Sequence, residues 1–156
     1  MSKNKDLGKW AVIDIETTGV DASRDSIIDI GFLLFEGTEL VKSFSSLVHY
    51  EGQISQFIQR LTGISQGQVT GAPKLESLWE DLSELEGAQL IAHNAVFEQS
   101  FLSPVFDKIC GEYDSELPVY RDSIPFLGLL YPGRSQMNLE SFIIELGLRY
   151  KLKWNH

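Results

Sequence analysis

The stretch "AVIDIETTGVD", residues 11–21, sets two acids into an apolar run. Trp10, Ala11, Val12 and Ile13 lead into Asp14, and Ile15 separates Asp14 from Glu16. A run of this kind reads as a buried strand. Strand side chains alternate between faces, so Asp14 and Glu16 share one. Two like charges on one face at a sheet end repel unless something positive joins them. Magnesium or manganese suits such a pair, because hard cations take oxygen ligands. The plain alternative is an acid pair at a solvated strand end.

From that strand the pattern extends along the chain. Residues 9–16 are expected as strand one, "SIIDIGFLLF" (26–35) as strand two, and "ELVKSFSSLV" (39–48) as strand three. Their short connections favour antiparallel neighbours. "ISQFIQRL" predicts a short helix closed by Gly63, and "SQGQVTGAP" predicts a loop. "KLESLWEDLSEL" has helical apolar spacing at Leu75, Leu78, Trp79, Leu82 and Leu85. "AQLIAH" (88–93) is expected as strand four, with Asn94 capping a helix that carries Phe97, Phe101, Leu102 and Val105. "PVYRDS" is expected as strand five, followed by helices near 123–130 and 138–146. The sum is a mixed α/β sheet with helices on its faces. Ligand sites in such sheets favour the carboxyl ends of strands. Asp14 and Glu16 lie at one such end, and His93, Asn94 and Glu98 follow another.

Length and composition bound the rest. The chain has 156 residues, consistent with one domain, and a hydrophobic fraction of 43% supports a sizeable core. No apolar run reaches the length needed to span a bilayer, so no membrane role is expected. "MSKNKDLGKW" lacks the apolar segment of a secretory signal. Cys110 is the only cysteine, which excludes an internal disulfide and a cysteine-based zinc site and fits a reducing cytoplasm. The net charge of −9 argues against a tight, non-specific grip on nucleic acid. An enzyme that meets phosphate through divalent cations stays open, because the ions reverse the local charge. Basic residues gather at Lys3, Lys5 and Lys9 and again at Arg149, Lys151 and Lys153.

Taken together, "VIDIETTG" and "AHNAVFEQSFL" resemble the first and second motifs of the DEDD superfamily of 3′–5′ exonucleases. The nearest likeness is to the DnaQ-like (DEDDh) branch, which includes the proofreading epsilon subunit of bacterial DNA polymerase III. "DSIIDIG", "LTGISQGQVTGAP" and "RDSIPFLGLLYPGRSQMNLESFIIELGL" match in order, so the likeness runs from residue 9 nearly to the end. It implies a ribonuclease H-like fold with a mixed five-stranded sheet, three antiparallel strands followed by parallel ones. It implies hydrolysis of the terminal phosphodiester of single-stranded or frayed 3′ ends, with release of nucleoside monophosphates. Two divalent cations, Mg2+ or Mn2+, would be held by Asp14, Glu16 and Glu98. His156 would take the proton of the attacking water. Ile15, Thr17, Thr18, Gly19, His93, Asn94 and Phe97 fall where the terminal nucleotide would be contacted. Phe97 has a core role as its alternative. A DNA polymerase is an implied candidate partner.

Two departures qualify the likeness. The second motif of the family carries aspartate where this chain has Glu98, one methylene longer. The third motif has a histidine followed five positions later by an aspartate, and His156 is the last residue given. The expectation is therefore a single domain over 1–156 that lacks its C-terminal helix. The competing expectation is an inactive exonuclease-like module that binds nucleic acid or a polymerase. Asp29 is expected to be structural, as an acid without a second acid beside it. Asp122 is expected as a strand-end or cap residue. His49 and His93 have no partner visible in sequence.

Overall fold

The computed structural model describes residues 8–147. Strands β1 (Lys9–Thr17), β2 (Ile27–Glu36) and β3 (Glu39–Leu47) come first. They are followed by α1 (Gln56–Thr62), α2 (Gln66–Thr70), a 3-10 turn (Leu75–Leu78), α3 (Trp79–Ser83) and β4 (Gln89–Ala92). The long helix α4 (Ala95–Tyr113), β5 (Val119–Asp122), α5 (Ser123–Leu130) and α6 (Leu139–Glu145) complete the described chain. The five strands form one sheet in the order β3-β2-β1-β4-β5. β1 runs antiparallel to β2, and β2 to β3, whereas β1–β4 and β4–β5 are parallel. This is the expected mixed sheet. The first half is made of hairpins, and the parallel half needs a helix for each return crossing.

The two faces of β1 differ. Ala11, Ile13 and Ile15 are buried in the main apolar core with Ile30, Phe32 and Leu34 of β2 and Leu90 and Ala92 of β4. α4 covers this face with Phe101, Leu102, Phe106 and Ile109, repeated at helical spacing. Leu102 is fully buried. Truncation to alanine there costs about 2–5 kcal/mol through lost transfer energy and the cavity left behind. The opposite face carries Val12, Asp14 and Glu16. It borders a groove of about 500 Å3, which Thr62 and Ile64 flank at the end of α1. A second apolar group, Ile28, Ile54, Ile58, Ile64 and Val69, joins α1 and α2 to the sheet.

Three local expectations need correction. The stretch expected as a loop after Ile64 contains α2, because Ser65 and Gln68 form a capping box that satisfies the first backbone donors. The helix expected over 74–85 is broken into a 3-10 turn and the short α3. There Ser77 Oγ donates to the Lys74 carbonyl and Ser83 Oγ to the Glu80 carbonyl, competing with the helical ladder. Asn94 precedes α4 as expected, but its side chain does not cap it. Its backbone is left-handed, at φ 70° and ψ 52°. Asparagine tolerates that conformation better than most residues, and it turns the chain sharply from β4 into α4. Lys42 ties β3 to α3 through Asp81 at 2.7 Å and Glu84 at 2.6 Å.

Candidate active site

Asp14 and Glu16 lie at the carboxyl end of β1 and border the same groove. Alternation along the strand puts both on the face opposite Ile13 and Ile15. Ile15, expected among the substrate contacts, is therefore a core residue whose side chain is buried at 5% exposure. Only its backbone remains on offer. Across the ladder, Glu16 is the direct partner of Asp29. Asp29 does have a second acid beside it, contrary to expectation, because antiparallel pairing sets these two positions opposite one another. Both border the groove.

Glu98 comes one turn into α4. It falls on the apolar row formed by Ala95, Phe101, Leu102, Phe106 and Ile109, and only 4% of it is exposed. Its Oε2 is buried and has no hydrogen-bond partner. Burial pushes the carboxyl up to about 7, and the charges of Asp14 and Asp122 add to the effect. The hydrogen bond to its own backbone N–H works in the other direction. Asp14 is exposed by surface area but crowded enough that desolvation raises it above the usual carboxylate range, while the nearby His93 pulls it down. The fold thus brings Asp14, Glu98, His93 and Asp122 within electrostatic reach of one another. This could be anticipated from sequence in part. Stepping back three or four residues along the α4 core row from Phe101 and Leu102 lands on Glu98.

The loop after β1 closes on itself. The Thr17 hydroxyl donates to the Gly19 carbonyl. The Thr18 hydroxyl donates to Asp25 Oδ1 at 3.2 Å and accepts from the Ser26 N–H at 3.0 Å. Both hydroxyls expected to face a nucleotide are engaged inside the loop, which leaves its backbone as the available contact surface. Gly19 has a steric reason to be glycine, because a Cβ there would overlap the Asp25 carboxylate. Phe97 packs against the core, with its ring 5.1 Å from that of Phe101. His93 is half-buried, and its Nδ1 lies 3.0 Å from Ser123 Oγ. His49 also has a partner, the Thr70 carbonyl at 3.0 Å. Asp122 caps α5, accepting from the Ile124 N–H at 2.9 Å, as expected for a cap residue. His156, Arg149, Lys151, Lys153, Lys3 and Lys5 lie outside the described residues.

The family model for exonucleases (RNase_T) matches residues 11–156. The chain belongs to this exonuclease family. By family it is an exonuclease domain, a nuclease and hydrolase by type. The exonuclease domain is 33% identical over 141 residues to a PolC-type DNA polymerase III of Clostridium perfringens, covering 90% of this chain and 10% of that protein. It is 35% identical over 140 residues to the PolC-type DNA polymerase III of Thermotoga maritima, covering 89% and 10%. It is also 32% identical over 98 residues to the 3′-5′ exonuclease DinG of Staphylococcus saprophyticus, covering 62% and 11%. The chain spans about a tenth of the length of these curated relatives. Among solved structures it resembles exonuclease X in complex with 5′ overhanging duplex DNA. That match has a TM-score of 0.66 at 21% identity and covers 94% of this chain and 75% of that one. Exonuclease I of Methylocaldum szegediense matches with a TM-score of 0.70 at 15% identity, covering 91% and 36%. These likenesses establish the ribonuclease H-like fold.

The donors suit a hard divalent cation. They are carboxylate oxygens, and one of them is a buried Glu98 oxygen with no protein partner. Among the described residues, however, no three histidine, cysteine or acidic side chains converge closely enough to cage an ion. No described helix is long and apolar enough to cross a membrane.

Proposed function

We propose that this domain is a metal-dependent 3′–5′ exonuclease that removes nucleoside monophosphates one at a time from single-stranded or frayed 3′ ends. The observation that carries the reading is the buried Glu98, its Oε2 unpartnered and its carboxyl within electrostatic reach of Asp14 at the carboxyl end of β1. A carboxylate kept in that position against its own desolvation cost is an arrangement typical of function. Asp14, Glu16 and Glu98 would hold two divalent cations, Mg2+ or Mn2+. When bound, such cations supply positive charge against the phosphate and acidify water.

The chain's own residues do the rest. The backbone of Ile15 and of the Thr17–Thr18–Gly19 turn orients the terminal nucleotide over the groove. His93 and Asn94, which follow β4, contact the terminal nucleotide from that side, and Phe97 limits how far a base enters. His156 takes a proton from the attacking water onto its imidazole. The terminal nucleotide must leave its partner strand to reach carboxylates at a strand end, which favours single-stranded or frayed substrates. We read 1–156 as one exonuclease unit acting in the cytoplasm in proofreading or repair. The PolC-type relatives make a DNA polymerase the candidate partner.

A second reading is an inactive module that binds nucleic acid or a polymerase. It is favoured by one observation, that the described acids stop short of a three-ligand cluster. Chromatographic detection of mononucleotides separates the two. Release from a single-stranded oligonucleotide should stop in chelator and resume with excess Mn2+. Release that continues undiminished in chelator contradicts the metal mechanism, and no release with Mn2+ present favours the inactive module.

A further inference from the structure

The loops leaving β4 and β5 are joined by hydrogen bonds between consecutive residues. His93 Nδ1 lies 3.0 Å from Ser123 Oγ, and the Asn94 backbone N–H donates to Asp122 Oδ1 at 3.2 Å. The same oxygen accepts from the Ile124 N–H at 2.9 Å. Ala92 and Asp122 are already register partners in the parallel ladder. The side-chain contact therefore continues the β4–β5 pairing one step past the strand ends.

Asn94 is where that support counts. It is one of two described non-glycine residues at positive φ, a conformation that most L-residues avoid and that asparagine tolerates. α4 starts immediately after it, and Glu98 follows one turn later. Any relaxation of the Asn94 backbone re-aims the first turn of α4. We infer that Asp122 is a positioning residue of the exonuclease site: by accepting the Asn94 N–H it fixes the turn into α4 and so sets where Glu98 stands relative to Asp14. The inference rests on the exonuclease reading above. What Asp122 supplies is an acceptor at a defined place. Its charge also acts on Glu98, adding to the crowding of acids, so charge is not what the site gains from it.

The test separates place from charge. Asp122→Asn keeps an acceptor oxygen where Oδ1 stands and removes the charge. Asp122→Glu keeps the charge and displaces the oxygen by a methylene. Mn2+ binding to the full chain is followed by the electron spin resonance signal of the free ion. Amide hydrogen exchange over residues 94–98 is read without metal. Asp122→Asn should stay within about threefold of the parent affinity, and Asp122→Glu should bind Mn2+ about 10–100-fold more weakly, the usual cost of losing a group that orients a ligand. Exchange over 94–98 should quicken in Asp122→Glu and not in Asp122→Asn. If Asp122→Glu does not fold, Asp122→Ser, whose acceptor is too short, carries the same expectation.

Parent-like binding and exchange in the displaced-acceptor variant overturn the inference. So does an Asp122→Asn protein as weak as Asp122→Glu, which would make Asp122 a charge-bearing ligand. A parent that binds no Mn2+ overturns the metal-site reading instead. That failure is distinguishable, because the exchange measurement reads the Asp122 contact in metal-free protein.

Discussion

Glu98, on the core side of α4, lies within electrostatic reach of Asp14 at the end of β1; burial first, and then the Asp14 charge, push its carboxyl up to about 7. The folded protein therefore takes up a proton that the unfolded chain, with an ordinary value of 4.5, has already lost. Between those two values the native state binds more protons, so its stability falls as pH rises through the window. The Glu98 contribution is on the order of 1–3 kcal/mol. Urea midpoints of the metal-free protein should be lower at pH 8 than at pH 5, and Glu98→Gln should shrink the difference. An equal decline in Glu98→Gln would place its origin elsewhere.

Asp14→Asn should abolish cleavage without harming the fold. It keeps the volume and removes a charge that crowding already disfavours. Activity should fall by at least about a hundredfold, since the loss of outer partners of metal ligands alone costs 10–100-fold. The melting temperature should hold or rise. A variant with near-parent turnover would exclude Asp14 from the site.

Glu98 tolerates shortening better than neutralisation. Glu98→Asp keeps the charge and should retain partial activity, limited by reach, because metal–oxygen distances allow little error. Glu98→Gln should lose metal-dependent activity while its metal-free form is at least as stable as the parent. Turnover of Glu98→Gln equal to the parent at limiting Mn2+ would make Glu98 only a buried helix-start acid.

Gly19→Ala should damage the loop after β1. The added Cβ meets the Asp25 carboxylate, which is held by the Thr18 hydroxyl and the Asp21 N–H. Overpacking of this kind costs about 1–3 kcal/mol. The expected signature is a raised KM for the oligonucleotide along with a lowered melting temperature. No change in either would mean that Asp25 swings aside freely.

Much of this architecture is legible along the chain because it is set locally. The "EGT" connection between two alternating runs allows only a hairpin, and β1, β2 and β3 form as expected. The Asp14–Glu16 pair follows from strand alternation alone. What stayed hidden depends on partners distant in sequence. Asp29 meets Glu16 only through sheet register. Asn94 adopts its left-handed turn against Asp122, which is 28 residues away. The Thr17 and Thr18 hydroxyls are drawn into a loop closed by Asp25 and Ser26. Ile15 could have been excluded from substrate contact at once, since it alternates against the two acids.

Polarity of degradation is the most direct test of the exonuclease reading. A 5′-labelled single strand incubated with Mn2+ should shorten from its 3′ end in single-nucleotide steps, while a closed circle of the same sequence stays intact. Linearised or fragmented circles, or label released at once as a mononucleotide, would contradict a 3′–5′ exonuclease.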